Sequence, residues 1–134
     1  MISEGTTGLQ SWKASIALSR WLLKNPKKMK NRSIIELGAG TGLCSLAIAY
    51  YLEPKRVTIT DHSPRALDFC QKSMDMMTML KHVPDKDIKD IVELKHLDFA
   101  DAVALDPCPD VVIATDVVSS FTSCSTYSLQ AEVG

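Results

Sequence analysis

Apolar residues along this chain follow two rhythms in turn, a helical spacing and short unbroken runs, and their alternation sets out a fold. Ala14, Ala17, Leu18, Trp21 and Leu22 recur at helical spacing. Ser11 stands where an N-cap would be and Pro26 where the helix must stop, which predicts an amphipathic helix between them. The next stretch, KNPKKMKNR, gathers Lys24, Lys27, Lys28, Lys30 and Arg32 and reads as a solvated connection rather than an anion-binding surface. Ser33 to Leu37 is a short apolar run that leads into glycines, the mark of a buried parallel strand, and Leu43 to Leu52 is apolar enough to be the helix packed on it.

Arg56 to Asp61 places Val57, Thr58, Ile59 and Thr60 together and predicts a second strand, and Ser63 followed by Pro64 starts a capped helix that runs to about Leu80. Met74, Met76, Met77 and Met79 crowd its end and read as core filler. The charged segment KHVPDKDIKD is a loop, Ile91 to Leu97 a third strand, and Asp110 to Thr115 a fourth. Strand, helix, strand, helix, strand, strand is the front of a doubly wound, Rossmann-like α/β domain. After Asp116 the serine- and threonine-rich remainder keeps no period, so residues 119–134 read as an irregular tail following a core of residues 1–118.

Composition narrows the class. The chain has 134 residues, 46% hydrophobic and 23% charged, with 15 basic against 16 acidic side chains and a net charge of -1. That is one ordinary globular domain with no electrostatic reason to bind nucleic acid. The N-terminal MISEGTTGLQ lacks a basic region followed by an apolar run, and no apolar run reaches bilayer-spanning length. A cytoplasmic protein with no membrane partner is the expectation. Cys44, Cys70, Cys108 and Cys124 are too far apart for a CxxC pair, which favours free thiols over disulfides or zinc ligands and predicts no metal.

The segment IIELGAGTGL, residues 34–43, carries the chemistry. A phosphate-binding loop needs GxxxxGK followed by Ser or Thr, and no lysine follows Gly42 here. A dinucleotide fingerprint needs GxGxxG, but counted from Gly38 and Gly40 the third glycine position holds Leu43; the pattern is GxGxG, ending at Gly42. Glu36, at the end of the strand, favours a ligand carrying positive charge over a pyrophosphate, and the sulfonium and ammonium of S-adenosylmethionine meet that condition. Asp61 closes the second strand, where a carboxylate can accept hydrogen bonds from both ribose hydroxyls, a feature that dinucleotide and adenosyl ligands share. Asp98, after the third strand, is placed to accept from an adenine amino group.

EGTTGLQSW, IIELGAGTGL, TDHSP, LDF and PDVVIATDVV together resemble the seven-strand, S-adenosylmethionine-dependent protein-lysine methyltransferases of the METTL21 and FAM86 type, within them the elongation factor 2 lysine methyltransferases. The resemblance covers about residues 3 to 118 and implies the class I methyltransferase form of the Rossmann-like sheet, incomplete at its C-terminus. It implies S-adenosylmethionine as cofactor, a protein such as elongation factor 2 as substrate, and lysine N-methylation as the activity. Residue by residue, it implies that Trp12 covers the adenosyl group, that Glu36, Gly38, Gly40 and Gly42 form the cofactor loop, that Asp61 holds the ribose and Asp98 the adenine. Asp116 matches the first position of the family's D-x-x-Y motif at the mouth where the target lysine enters.

The chain departs from that pattern in two ways. Ser119 stands where D-x-x-Y has its tyrosine, and the last 16 residues offer no counterpart to the strands that complete the family's sheet. A catalytically inactive, truncated binding module is therefore the alternative reading, and a nicotinamide-dependent oxidoreductase, disfavoured by Leu43, is the other.

Overall fold

The computed structural model describes residues 6–80, 87–97, 108–114 and 127–130. Five strands, β1 (Ser33–Leu37), β2 (Arg56–Asp61), β3 (Val92–His96), β4 (Val111–Ala114) and β5 (Tyr127–Gln130), form one sheet in the order β3-β2-β1-β4-β5. Every pairing is parallel. Helices α1 (Thr6–Lys24), α2 (Leu43–Tyr51) and α3 (Pro64–Leu80) join or precede the strands, with short 3-10 turns at Pro26–Lys28 and Ile88–Asp90. The chain moves outward from β1 to β3 and then returns to β1's other side as β4, so the strand order reverses at β1. In an open parallel sheet that reversal leaves a crevice at the carboxyl ends of the strands, where ligands bind.

The main core lies where the helices meet one face of the sheet. Leu18 and Leu22 of α1, Cys44, Leu46, Ile48 and Ala49 of α2, and Cys70 and Met74 of α3 pack with Ile34, Val57, Ile59, Val111 and Ile113. Ile35, Leu37 and Val112, on the alternate positions of β1 and β4, form a second cluster, as the two-residue period of a strand requires. β1 is apolar on both sides because it is central, which is why its sequence reads as a continuous run.

Several expectations change. α1 runs from Thr6 to Lys24 and already includes Ser11, so Ser11 does not occupy its N-cap position. Its buried stripe is Ser15, Leu18, Ser19 and Leu22, whereas Ala17 is exposed and Trp21 is 41% exposed. The stripe is rotated by about one residue because the two serines tolerate burial: Ser19 Oγ donates to the Ser15 carbonyl at 2.7 Å, which satisfies its hydroxyl inside the helix. Of the methionines on α3, Met74 is buried and Met77 packs on the core, but Met76 and Met79 face solvent at 64% and 82% exposure. The basic connection does display its lysines and Arg32 to solvent, yet Met29 within it is fully buried and pins the turn to the core.

The tail contains β5, paired in parallel with β4, so residues 119–134 are not irregular throughout and β4 is not the sheet's edge. Cys44 and Cys70 are free thiols, as expected. Cys108 is disulfide-bonded, against the expectation of free thiols, with its partner outside the described residues. The pairing is one of tertiary proximity, which cysteine spacing along the chain does not reveal. No helix among the described residues is long and apolar enough to cross a membrane.

Candidate functional site

The turn from β1 into α2 is built by three glycines in left-handed conformations, Gly38 (φ 62°), Gly40 (φ 60°) and Gly42 (φ 72°). L-residues with a Cβ pay for such angles, so the alternate-glycine spacing is a backbone requirement. The loop is held by hydrogen bonds at successive points. Ala39 N–H donates to the Thr60 carbonyl at 2.9 Å and Gly42 N–H to the Ala39 carbonyl at 3.0 Å. Thr60 Oγ1 donates to the Glu36 carbonyl at 2.6 Å, tying the ends of β1 and β2 together. At Gly40 an added Cβ would meet no atom within 4 Å, so this part of the loop presents open backbone to whatever lies above it.

Asp61 stands at the end of β2 with both carboxylate oxygens engaged. Oδ2 accepts the Gly40 N–H at 2.9 Å and Oδ1 the Ser63 N–H at 2.8 Å. His62 Nδ1 lies 3.5 Å from Oδ1. Each oxygen keeps a further lone pair, so ribose hydroxyls remain acceptable donors. Ser63 then caps α3, its Oγ accepting the Ala66 N–H at 3.3 Å, and β3 is drawn in by the contact of His96 Nε2 with the His62 carbonyl at 2.9 Å. The carboxyl ends of β1, β2 and β3 thus form one hydrogen-bonded rim.

Glu36 is fully buried on the helix-facing side of β1, opposite Ile59 of β2 and Ile113 of β4. Its Oε1 accepts the Ser45 hydroxyl of α2 at 2.6 Å, and its Oε2 has no protein partner. Burial pushes its carboxyl up to about 7, against the opposing pull of Ser45, and the nearby Asp61 adds to the rise. Glu36 stands near the end of β1, as expected, and lies beneath the glycine turn, shielded by α2. With its carboxyl pushed up to about 7, its unpartnered oxygen is an acceptor for a cationic group once the proton is lost.

The structure brings Glu36, Gly38, Gly40, Gly42 and Asp61 together at the carboxyl ends of β1 and β2. Trp12 lies on α1; its side chain, and Asp98, Asp116 and Ser119, fall outside the described residues. Ser45 and Cys70 escaped the sequence reading. Ser45 is a lone hydroxyl in the apolar helix LCSLAIAYY, and a buried serine there needs a partner, which is the signal that would have exposed it. No group of three or more His, Cys, Asp or Glu side chains suited to a metal occurs among the described residues. A cavity of about 400 Å³ lined by Lys27, Lys28, Arg32, Asp110 and Val111 lies at the opposite, amino end of β1 and β4, away from the glycine loop.

Three features fit S-adenosylmethionine: an open backbone face at Gly40, a ribose-competent carboxylate at Asp61, and a buried carboxyl with a spare oxygen. The human protein-lysine N-methyltransferase EEF2KMT is 33% identical over 123 residues, covering 88% of this chain and 37% of that protein. The chain thus spans little more than a third of the length of this relative. Among solved structures, coclaurine N-methyltransferase bound to N-methylheliamine and SAH superposes with a TM-score of 0.58 at 19% identity, over 77% of this chain and 27% of that one. The Trypanosoma brucei PRMT1 enzyme-prozyme complex with AdoHcy reaches 0.61 at 15% identity, over 81% and 32%. These likenesses establish the Rossmann-like class I methyltransferase fold. The lysine methyltransferase family matches residues 2–128, nearly the whole chain, and the chain belongs to that family.

Proposed function

We propose that this chain binds S-adenosylmethionine in the crevice above Gly40 and Asp61 and forms the cofactor half of a protein-lysine N-methyltransferase acting on elongation factor 2. The observation that carries this reading is the bond between Gly40 N–H and Asp61 Oδ2, which brings an open glycine backbone and a ribose-competent carboxylate to one point. Family membership supplies the reaction, and the name of the human relative supports the substrate.

When bound, S-adenosylmethionine offers an electrophilic methyl group on a sulfonium. What the protein must supply is alignment and a neutral amine. Deprotonating a free lysine at pH 7 costs about 4.6 kcal/mol from its ordinary pKa near 10.4. A desolvated channel next to positive charge lowers that cost. Under this reading Gly40 permits close approach of the ligand, Asp61 orients the ribose, and ionised Glu36 offsets the ligand's positive charge from beneath. Trp12, Asp98 and Asp116 take the adenosyl-covering, adenine-binding and lysine-orienting roles that the family pattern assigns. A cytoplasmic location follows from the substrate proposed.

Calorimetric titration with S-adenosylmethionine, S-adenosylhomocysteine and NAD, followed by methylation of purified elongation factor 2 with a radiolabelled donor, tests the reading. The first two ligands should bind, NAD should not, and label should appear on lysine. Binding of NAD in their place overturns the reading. Cofactor binding without any transfer replaces it with the noncatalytic module that Ser119 suggests.

A further inference from the structure

The glycine loop has a support that hydrogen-bonded backbone does not explain. Cys70, fully buried on α3, places its Sγ 3.5 Å from the Gly40 carbonyl oxygen. The same sulfur occupies the space a side chain at Gly42 would need: a Cβ there would lie 2.6 Å from Cys70 Sγ and 3.5 Å from Cys70 Cβ. One side chain thus touches the loop at two of its three glycines. Burial, with Glu36 and Asp61 nearby, pushes the thiol up to about 12, so at neutral pH the sulfur carries the proton that the Gly40 carbonyl accepts. The neighbourhood also points to a ligand, since the fully buried Glu36 beneath the same loop keeps an oxygen without a partner.

We propose that Cys70 is a positioning residue for the cofactor loop: its S–H holds the Gly40 carbonyl and its bulk sets the height of Gly42, so the open face of Gly40 is presented to the ligand in a fixed orientation. Cys70 does not itself touch the ligand. The inference rests on the reading of the loop as an S-adenosylmethionine site for its functional consequence, but the positioning can be measured without ligand. Gly40 has its N–H fixed by Asp61 and its carbonyl met by Cys70, so the two contacts together hold both of its flanking peptides.

The test uses Cys70→Ser, which keeps a donor with less bulk, Cys70→Val, which keeps bulk without a donor, and Cys70→Ala, which keeps neither. Amide hydrogen exchange is followed across residues 38–43 in the ligand-free protein, with β4 as the internal reference for global opening. Cys70→Ala should speed exchange in the loop about tenfold relative to β4, with the serine and valine variants between it and the wild type. Dissociation constants for S-adenosylhomocysteine should follow the same order, about tenfold weaker for Cys70→Ala and within about threefold for Cys70→Ser. Loop exchange that stays unchanged relative to β4 in the folded alanine variant overturns the proposal, and if that variant does not fold, unchanged loop exchange in both other variants does so. If loop exchange responds but the wild type binds no S-adenosylhomocysteine, the positioning stands and the cofactor reading falls.

Discussion

Asp61 on β2 accepts the Gly40 N–H of the glycine loop at 2.9 Å, so the carboxylate assigned to a ligand is also a structural fastener. Its other oxygen accepts the Ser63 N–H at 2.8 Å. Asp61→Ala strands both donors and should destabilise the fold by about 1–3 kcal/mol while weakening S-adenosylmethionine by about 1.5–3 kcal/mol. Asp61→Asn, which retains one acceptor oxygen, should lose less of each. Urea unfolding alongside calorimetry separates the two effects, and undiminished affinity in folded Asp61→Ala would remove the residue from the site.

Gly40 and Gly42 should both lose stability on substitution by alanine, Gly42 more and Gly40 less. Gly42→Ala meets Cys70 Sγ at 2.6 Å at a φ of 72°, and strain plus overpacking should cost about 2–4 kcal/mol. Gly40→Ala meets nothing within 4 Å at a φ of 60°, so about 1–2 kcal/mol of backbone strain is the whole stability cost. Its new methyl group enters open space and, if that space is the cofactor crevice proposed above, should weaken S-adenosylhomocysteine about tenfold, about 1.4 kcal/mol. A larger loss of stability at position 40 than at position 42 would contradict the loop geometry.

Glu36 makes stability depend on pH with a definite sign. Its carboxyl titrates at about 7 in the folded protein against an ordinary 4.5, so between those values the native state holds a proton that the unfolded chain has released. The stability that Glu36 contributes is fully present below 4.5, is lost as pH rises through the window by up to about 1.4 kcal/mol per unit, and is gone above 7, a total on the order of 3 kcal/mol. Denaturant unfolding at pH 5, 6, 7 and 8 should show that slope in the wild type and lose it in Glu36→Gln. Equal slopes in the two proteins would mean Glu36 is already ionised at pH 5.

Met29 should prove to be the anchor of the basic turn. It is fully buried between exposed lysines, and Met29→Ala should cost about 2–5 kcal/mol, with its spread set by how far the turn can collapse. Thermal melts of Met29→Ala and of the exposed control Lys28→Ala would show the contrast; similar melting temperatures would mean the turn is not pinned through this residue.

Much of this arrangement is legible in the sequence where the physics is local. The alternate glycines demand left-handed backbone, the run SIIEL is apolar because β1 has neighbours on both sides, and Ser63 with Pro64 marks a helix start from its own chemistry. What escaped depends on distant partners. β5 is a polar YSLQ segment whose strand conformation comes from pairing with β4, whereas the turned stripe on α1 involves a local contact, Ser19 Oγ donating to the Ser15 carbonyl one turn back. Ser45 and Cys70 reach Glu36 and Gly40 across 9 and 30 positions, distances over which no periodicity carries information.

The reversal of strand order at β1 also divides the molecule by the reach of its contacts. Thr60 meets Glu36 across 24 positions and Asp61 meets Gly40 across 21, whereas Asp110 must travel 77 positions to receive the N–H and hydroxyl of Ser33. Closing the longer loop costs more chain entropy and comes with slower search. The glycine loop, Glu36 and Asp61 therefore belong to the part of the sheet that closes without the 77-position return of β4 to β1. Chain entropy thus favours forming the rim at Gly40 and Asp61 before β4 docks on β1, so the rim does not depend on the longest closure in the sheet.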